Sequence, residues 1–148
     1  MAQTTDQISA KDCTIEISSD GSSWTDISGW TNSITPGGGD RASGSAQTHD
    51  GDTPVHTIGK RSLRTLDVNV IYTEGGTDPI ETIRGYYENG TKVYLRYSPA
   101  GGASGDFMYT GQGYFLTPPQ PAADAGSGDP LAVSFTFECP VLTKSTVT

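Results

Sequence analysis

"DPIETIRGYYENGTKVYLRYS", residues 78 to 98, changes its hydrophobic period partway along, and that change sets the fold class. In the first half Ile80, Ile83 and Tyr87 recur at i, i+3 and i+7 with Tyr86 beside them, the spacing of one helix face. Asp78 stands at the N-cap and Glu81 at the capping-box position. Pro79 takes the first helical position, where its missing N–H costs nothing. Asn89-Gly90 supplies a left-handed stop, and Gly85 weakens the helix by about 1 kcal/mol relative to alanine. From Thr91 the period shortens to two: Val93, Leu95 and Tyr97 alternate with Lys92, Tyr94 and Arg96. A short amphipathic helix therefore runs directly into a strand.

Outward from this stretch the period-two pattern dominates. In "SLRTLDVNVIYTE" (62–74) Leu66, Val68 and Val70 oppose Thr65, Asp67 and Asn69, with Arg61 and Arg64 at the start. "CTIEIS" (13–18) puts Ile15 and Ile17 on one face, and "SDGSS" turns the chain into "WTDISGWTNSI" (24–34). "FMYTGQGYFLT" (107–117) is a strand whose glycines indicate a bulge or bend. "LAVSFTFECPVL" (131–142) closes the chain, Val133, Phe135 and Phe137 facing away from Ser134, Thr136 and Glu138. The expectation is one mainly-β domain over residues 1–148, a β-sandwich or barrel of about seven strands with one short flanking α-helix.

Three polar stretches interrupt this pattern: a loose N-terminal arm (1–10), a long inter-strand loop (36–60) and a second loop (118–130). Between Ile34 and Leu63 the only aliphatic side chains larger than alanine are Val55 and Ile58. Compact domains join elements with about four to six residues, so a loop of this length points to a role.

Hydrophobic residues make up 33% of the chain, with 19 glycines and 9 prolines, which suits short strands joined by polar turns. The formal net charge of −8 opposes stable binding of DNA or RNA. No apolar run approaches the about 18–20 residues of a membrane span, and the N-terminus has no basic-then-apolar signal pattern. A soluble protein made in the cytoplasm is expected, with Cys13 and Cys139 as buried free thiols rather than a disulfide.

Chemistry is poorly represented. No G-x-S-x-G elbow occurs, and His49 and His56 both lie in the long loop, where a base would be badly fixed. "HDGD" (49–52) lacks EF-hand spacing, and "GGGD" (37–40) lacks the Lys-Ser/Thr of a phosphate cradle and reads as a hinge. No catalytic residue, metal site or cofactor is assigned. Tyr94 and Tyr114 are the two aromatics whose exposure would suit a carbohydrate platform.

The order of elements, above all the helix passing through "YYENGTKVYLRY" into a strand and the "GQGYFLT…GDPLAVSFTF" ending, resembles phage tail tube proteins over roughly residues 10 to 143. The resemblance implies a β-sandwich-like barrel, hexameric rings stacked into a tube, and passage of DNA through a channel lined by the inner sheets. It implies as partners further copies of the chain, tail-tip and tail-terminator proteins, and a sheath or tape-measure protein, with no membrane. The location implied is the virion tail, after synthesis in the host cytoplasm. Residues 36–60 would then be an arm between subunits, with Gly37, Asp40, Arg41, Asp50, Pro54, Val55, His56 and Ile58 as its contact candidates. Arg41, Arg61 and Arg64 are expected to meet acids across subunit contacts. Asp67, Asn69, Thr136 and Glu138 are candidate lumen residues, although alternation alone leaves open which strand face is the lumen. A capsid decoration or head–tail completion protein and a carbohydrate-binding β-sandwich are the competing readings.

Overall fold

Pro79 opens the helix as expected: α1 spans Pro79–Asn89 in the structure, a computed structural model that describes residues 2–148. The capping box does not form. The Asp78 carboxylate instead accepts from the Gly75 N–H at 3.0 Å, and Glu81 pairs with Arg84 at 3.2 Å. The first turn is held by backbone alone, Glu81 N–H to the Asp78 carbonyl. At the other end Gly90 adopts φ +62°. Its N–H and that of Thr91 bond to the carbonyls of Tyr87 and Tyr86, a Schellman closure. Ile80 and Ile83 are fully buried, which stabilises the packing by about 1.5–3 kcal/mol each, and Tyr86 stacks on Phe115.

Ten strands occur among the described residues. They are β1 (Thr14–Ser18), β2 (Thr25–Asp26), β3 (Thr31–Gly38), β4 (Arg41–Ala46), β5 (Val55–Arg61), β6 (Arg64–Ile71), β7 (Val93–Ser98), β8 (Phe107–Phe115), β9 (Ala132–Cys139) and β10 (Leu142–Thr146). The count exceeds seven for two reasons. The long polar loop contains β4 and β5, and the last segment breaks at Pro140 into β9 and a further strand, β10.

The main sheet runs β2-β1-β7-β8-β9-β6-β3 without closing, and β10 lies beside β8. β8 changes partner along its length. Residues 107–111 pair with β10, while Tyr114 and Phe115 pair with β9. It thereby joins an outer half (β2, β1, β7, β10) to a second half (β9, β6, β3). The apolar faces of the two halves share one core: Ile15, Ile17, Val93 and Leu95 from the first, Leu66, Val68, Val70, Phe135 and Phe137 from the second. This is the sandwich expected from the alternation, folded from one sheet.

The β1–β2 turn is fixed by Asp20, whose Oδ1 accepts from the N–H groups of Ser22 and Ser23 and from the Ser18 hydroxyl. Those bonds, Ser23 first, lower its pKa from 3.8 to about 2. A depressed carboxylate contributes stability above its unfolded pKa and loses it as pH falls through the folded one. Acid titration followed by NMR is therefore expected to place the Asp20 midpoint near 2. Asp20→Asn should flatten the loss of stability between about pH 4 and 2 relative to the parent. A midpoint close to 4 would remove this account of the turn.

Cys13 is half-buried and Cys139 buried, both as free thiols, and burial pushes both above their ordinary pKa.

Candidate assembly surfaces

β3, β6 and β9 present a second face, opposite the core. Register places Thr35, Asp67 and Thr136 in one row across it and Ser33, Asn69 and Ser134 in the next. Gly37, Thr65, Glu138 and Tyr114 make a third. The Thr136 hydroxyl donates to Asp67 Oδ1 at 2.8 Å, and Asn69 Nδ2 donates to Ser134 Oγ at 3.2 Å. All four residues singled out in the sequence, Asp67, Asn69, Thr136 and Glu138, thus lie on one face of one sheet. That face is hydroxyl-rich and acidic, and none of its rows contains Lys or Arg. The edge of β3 away from β6 pairs with no other strand among the described residues. Pro36, which has no N–H to give, sits on this edge strand.

The stretch expected as a loop, 36–60, is a formed two-stranded ribbon. β4 and β5 pair antiparallel from Arg41↔Arg61 to Ala46↔Val55, and every residue in them is exposed. No apolar alternation announces these strands, because neither ribbon face is buried within the chain. Gly37 ends β3 together with Gly38, and Gly38 and Gly39 have φ +69° and +77°. A Cβ on Gly38 would lie 2.2 Å from the Leu63 carbonyl oxygen, so the hinge requires glycine. Asp40 and Arg41 stand at the ribbon base, Asp50 in its turn, and Pro54, Val55, His56 and Ile58 on its returning side. Val55 and Ile58 are 54% and 69% exposed, the ribbon's large apolar side chains left in water.

The outer half carries a different cluster. Arg96 Nε donates to Glu16 at 2.7 Å, its guanidinium lies 3.9 Å over the Trp24 ring, and Tyr94 meets Trp24 edge-on at 70°. Tyr114 is exposed but Tyr94 is half-buried in this cluster, so the two do not form a flat platform for a sugar. Among the described residues no group of three or more His, Cys, Asp or Glu is arranged to hold a metal, and no helix is long and apolar enough to cross a membrane.

The overall fold, a two-layer sheet with a flanking helix, is shared with solved structures of phage-type tail tubes and contractile injection systems. One similar chain is from the PVC sheath–tube complex of an extracellular contractile injection system in its extended state. It has 14% identity and a TM-score of 0.67, over 99% of this chain and 100% of that one. Another is from the tail of an empty GTA particle with C6 symmetry, at 11% identity and TM-score 0.66, covering 99% and 100%. The SPP1 tail tube matches at 13% identity and TM-score 0.67, covering 95% of this chain and 80% of that one. No protein-family model and no curated protein sequence matches the chain.

Proposed function

We propose that the chain is the non-catalytic structural subunit of a phage-type tail tube, assembling as hexameric rings that stack around a DNA channel. The observation that carries this reading is the second face of β3, β6 and β9. A sheet face free of cations and bearing Asp67 and Glu138 repels phosphate, and repulsion keeps a passing polyanion from binding. In the ring this face lines the lumen, and the open edge of β3 pairs with the neighbouring copy so that no strand edge remains exposed. The β4–β5 ribbon reaches an adjacent subunit and buries Val55 and Ile58 there. Tail-tip and tail-terminator proteins cap the tube, a sheath or tape-measure protein accompanies it, and the assembled location is the virion tail.

Negative-stain electron microscopy of the purified protein across a concentration series tests this. Tubes, or stacked six-fold rings with a central channel, are expected. Monomers alone at every concentration would overturn it.

A further inference from the structure

We infer that successive rings stack head to tail through charge complementarity between the two ends of the β3–β6–β9 sheet, a reading that rests on the tube proposal above. At one end, where Gly38, Arg64 and Cys139 share a row, four cations gather: Arg41, Lys60, Arg61 and Arg64. They are four of only nine in the chain, and none forms an ion pair with another described residue. Arg64 is half-buried and its Nε is shut off from water with no hydrogen-bond partner. It lines a hollow of about 180 Å³ together with Arg61, Ser62 and Leu142. Asp40 lies in the same turn, but its carboxylate forms no ion pair with these cations. A guanidinium that borders a surface hollow with no acidic partner among the described residues is placed to receive a carboxylate from outside the chain.

The opposite end, where Ile71 pairs with Ala132, carries the loops 72–78 and 118–131. These hold Glu74, Asp78, Asp124 and Asp129 and contain no Lys or Arg. Glu74, Asp124 and Asp129 are exposed. Arg84 of α1, which donates to the Pro119 carbonyl beside this end, is neutralised by its pair with Glu81, so strand direction runs from a basic end to an acidic one. Two copies stacked in the same sense bring opposite charges together, whereas stacking in opposed senses sets like against like. Such a contact is heterologous and leaves both ends open for growth, as a filament requires. Asp50 and Asp52 in the ribbon turn do not cancel the basic end, because the six residues of β4 separate them from it by about 20 Å along the ribbon. At physiological salt the Debye length is about 8 Å, so charges that close to contact range still decide the fit.

The test measures tube formation by sedimentation at low and high NaCl for four proteins. They are the parent, Lys60→Glu with Arg61→Glu, Glu74→Lys with Asp129→Lys, and all four changes together. The altered side chains are exposed, so folding is not at stake, and thermal unfolding checks that. Each pair is expected to raise the concentration for half-maximal assembly about ten-fold or more, and high salt to weaken the parent likewise. The four-change chain, in which the exchanged side chains again carry opposite signs across the contact, should recover part of that loss and assemble about three-fold better or more than either pair alone. Pairs that assemble like the parent, or a four-change chain no better than the pairs, would overturn the inference while leaving the tube proposal standing. A parent that forms neither rings nor tubes would overturn both.

Discussion

A chain in which an Asn-Gly turn replaces residues 42–60 is expected to keep its fold and lose its capacity to form tubes. The two outcomes separate because the ribbon contributes no buried residue to the domain: β4 and β5 are exposed throughout, and the core cluster draws nothing from them. Arg41 and Arg61 face each other in register, so a two-residue turn of the type that closes hairpins fits between them. The unfolding temperature should therefore stay within about 3 °C of the parent, since surface changes away from packed features usually shift stability by about 0.5 kcal/mol or less. Assembly, in contrast, loses Val55 and Ile58. Burial of each at a subunit contact contributes about 1.5–3 kcal/mol, and tenfold in affinity corresponds to about 1.4 kcal/mol. Val55→Asp with Ile58→Asp, which leaves the ribbon in place, should accordingly raise the concentration needed for tubes about 100-fold or more. Sedimentation and electron microscopy read both variants. Normal tubes from the ribbonless chain would show that subunits meet elsewhere.

The parts of the fold legible in the sequence are those whose pattern the core itself demands. Leu66, Val68 and Val70, then Val133, Phe135 and Phe137, alternate because one face of each strand is buried, and the structure places all six in the core. The helix was legible from its period and from Pro79 and Gly90 at its ends. The ribbon was not, because strands such as "RASGSA" and "VHTIGKR" bury neither face within the chain and so carry no alternation. The break at Pro140 escaped because the apolar residues continue past it: Leu142 is drawn to β8 while the preceding strand stays with β6. The capping box failed for a local reason. Gly75 lies three residues before Asp78 and offers its N–H to the carboxylate, a competing bond of the kind short acidic side chains readily form. For the candidate site, alternation put Asp67, Asn69, Thr136 and Glu138 on common faces, but only the β6–β9 register brings the two pairs together. The gathering of Arg41, Lys60, Arg61 and Arg64 likewise depends on the β4–β5 and β3–β6 pairings, which return Arg41 and the distant segment Lys60 to Arg64 to one end of the sheet.

Gly113→Ala is expected to remove about 3 kcal/mol or more of stability, a fall of roughly 6–12 °C in unfolding temperature for a chain of this size. The reason lies at the point where β8 passes from one half of the sheet to the other. Gly113 still pairs with Val93 of β7, while the next residue, Tyr114, already pairs with Glu138 of β9. The two backbones cross so closely there that a Cβ on Gly113 would stand 1.8 Å from the Glu138 carbonyl oxygen and 2.9 Å from the Cys139 Cα. Backbone cannot turn aside as a side chain can, so relief requires β8 and β9 to separate, which strains the packing of Phe115 against Phe135 and Phe137. Gly111, two residues earlier, provides the contrast. Its added Cβ would meet chiefly the Cys139 thiol at 2.7 Å, a side chain, so Gly111→Ala should cost less. Gly128→Ala, with nothing within 4 Å, serves as the unperturbed reference. Chemical denaturation of the three variants gives the order directly, and equal stability of Gly113→Ala and Gly128→Ala would show that the strands do not cross at this distance. The consequence extends to assembly, because this crossing ties the acidic sheet face to the outer half of the domain. A chain that loosens here presents that face, the one proposed to line the channel, on a sheet no longer held in place, and tube formation should fall in step with the loss of stability.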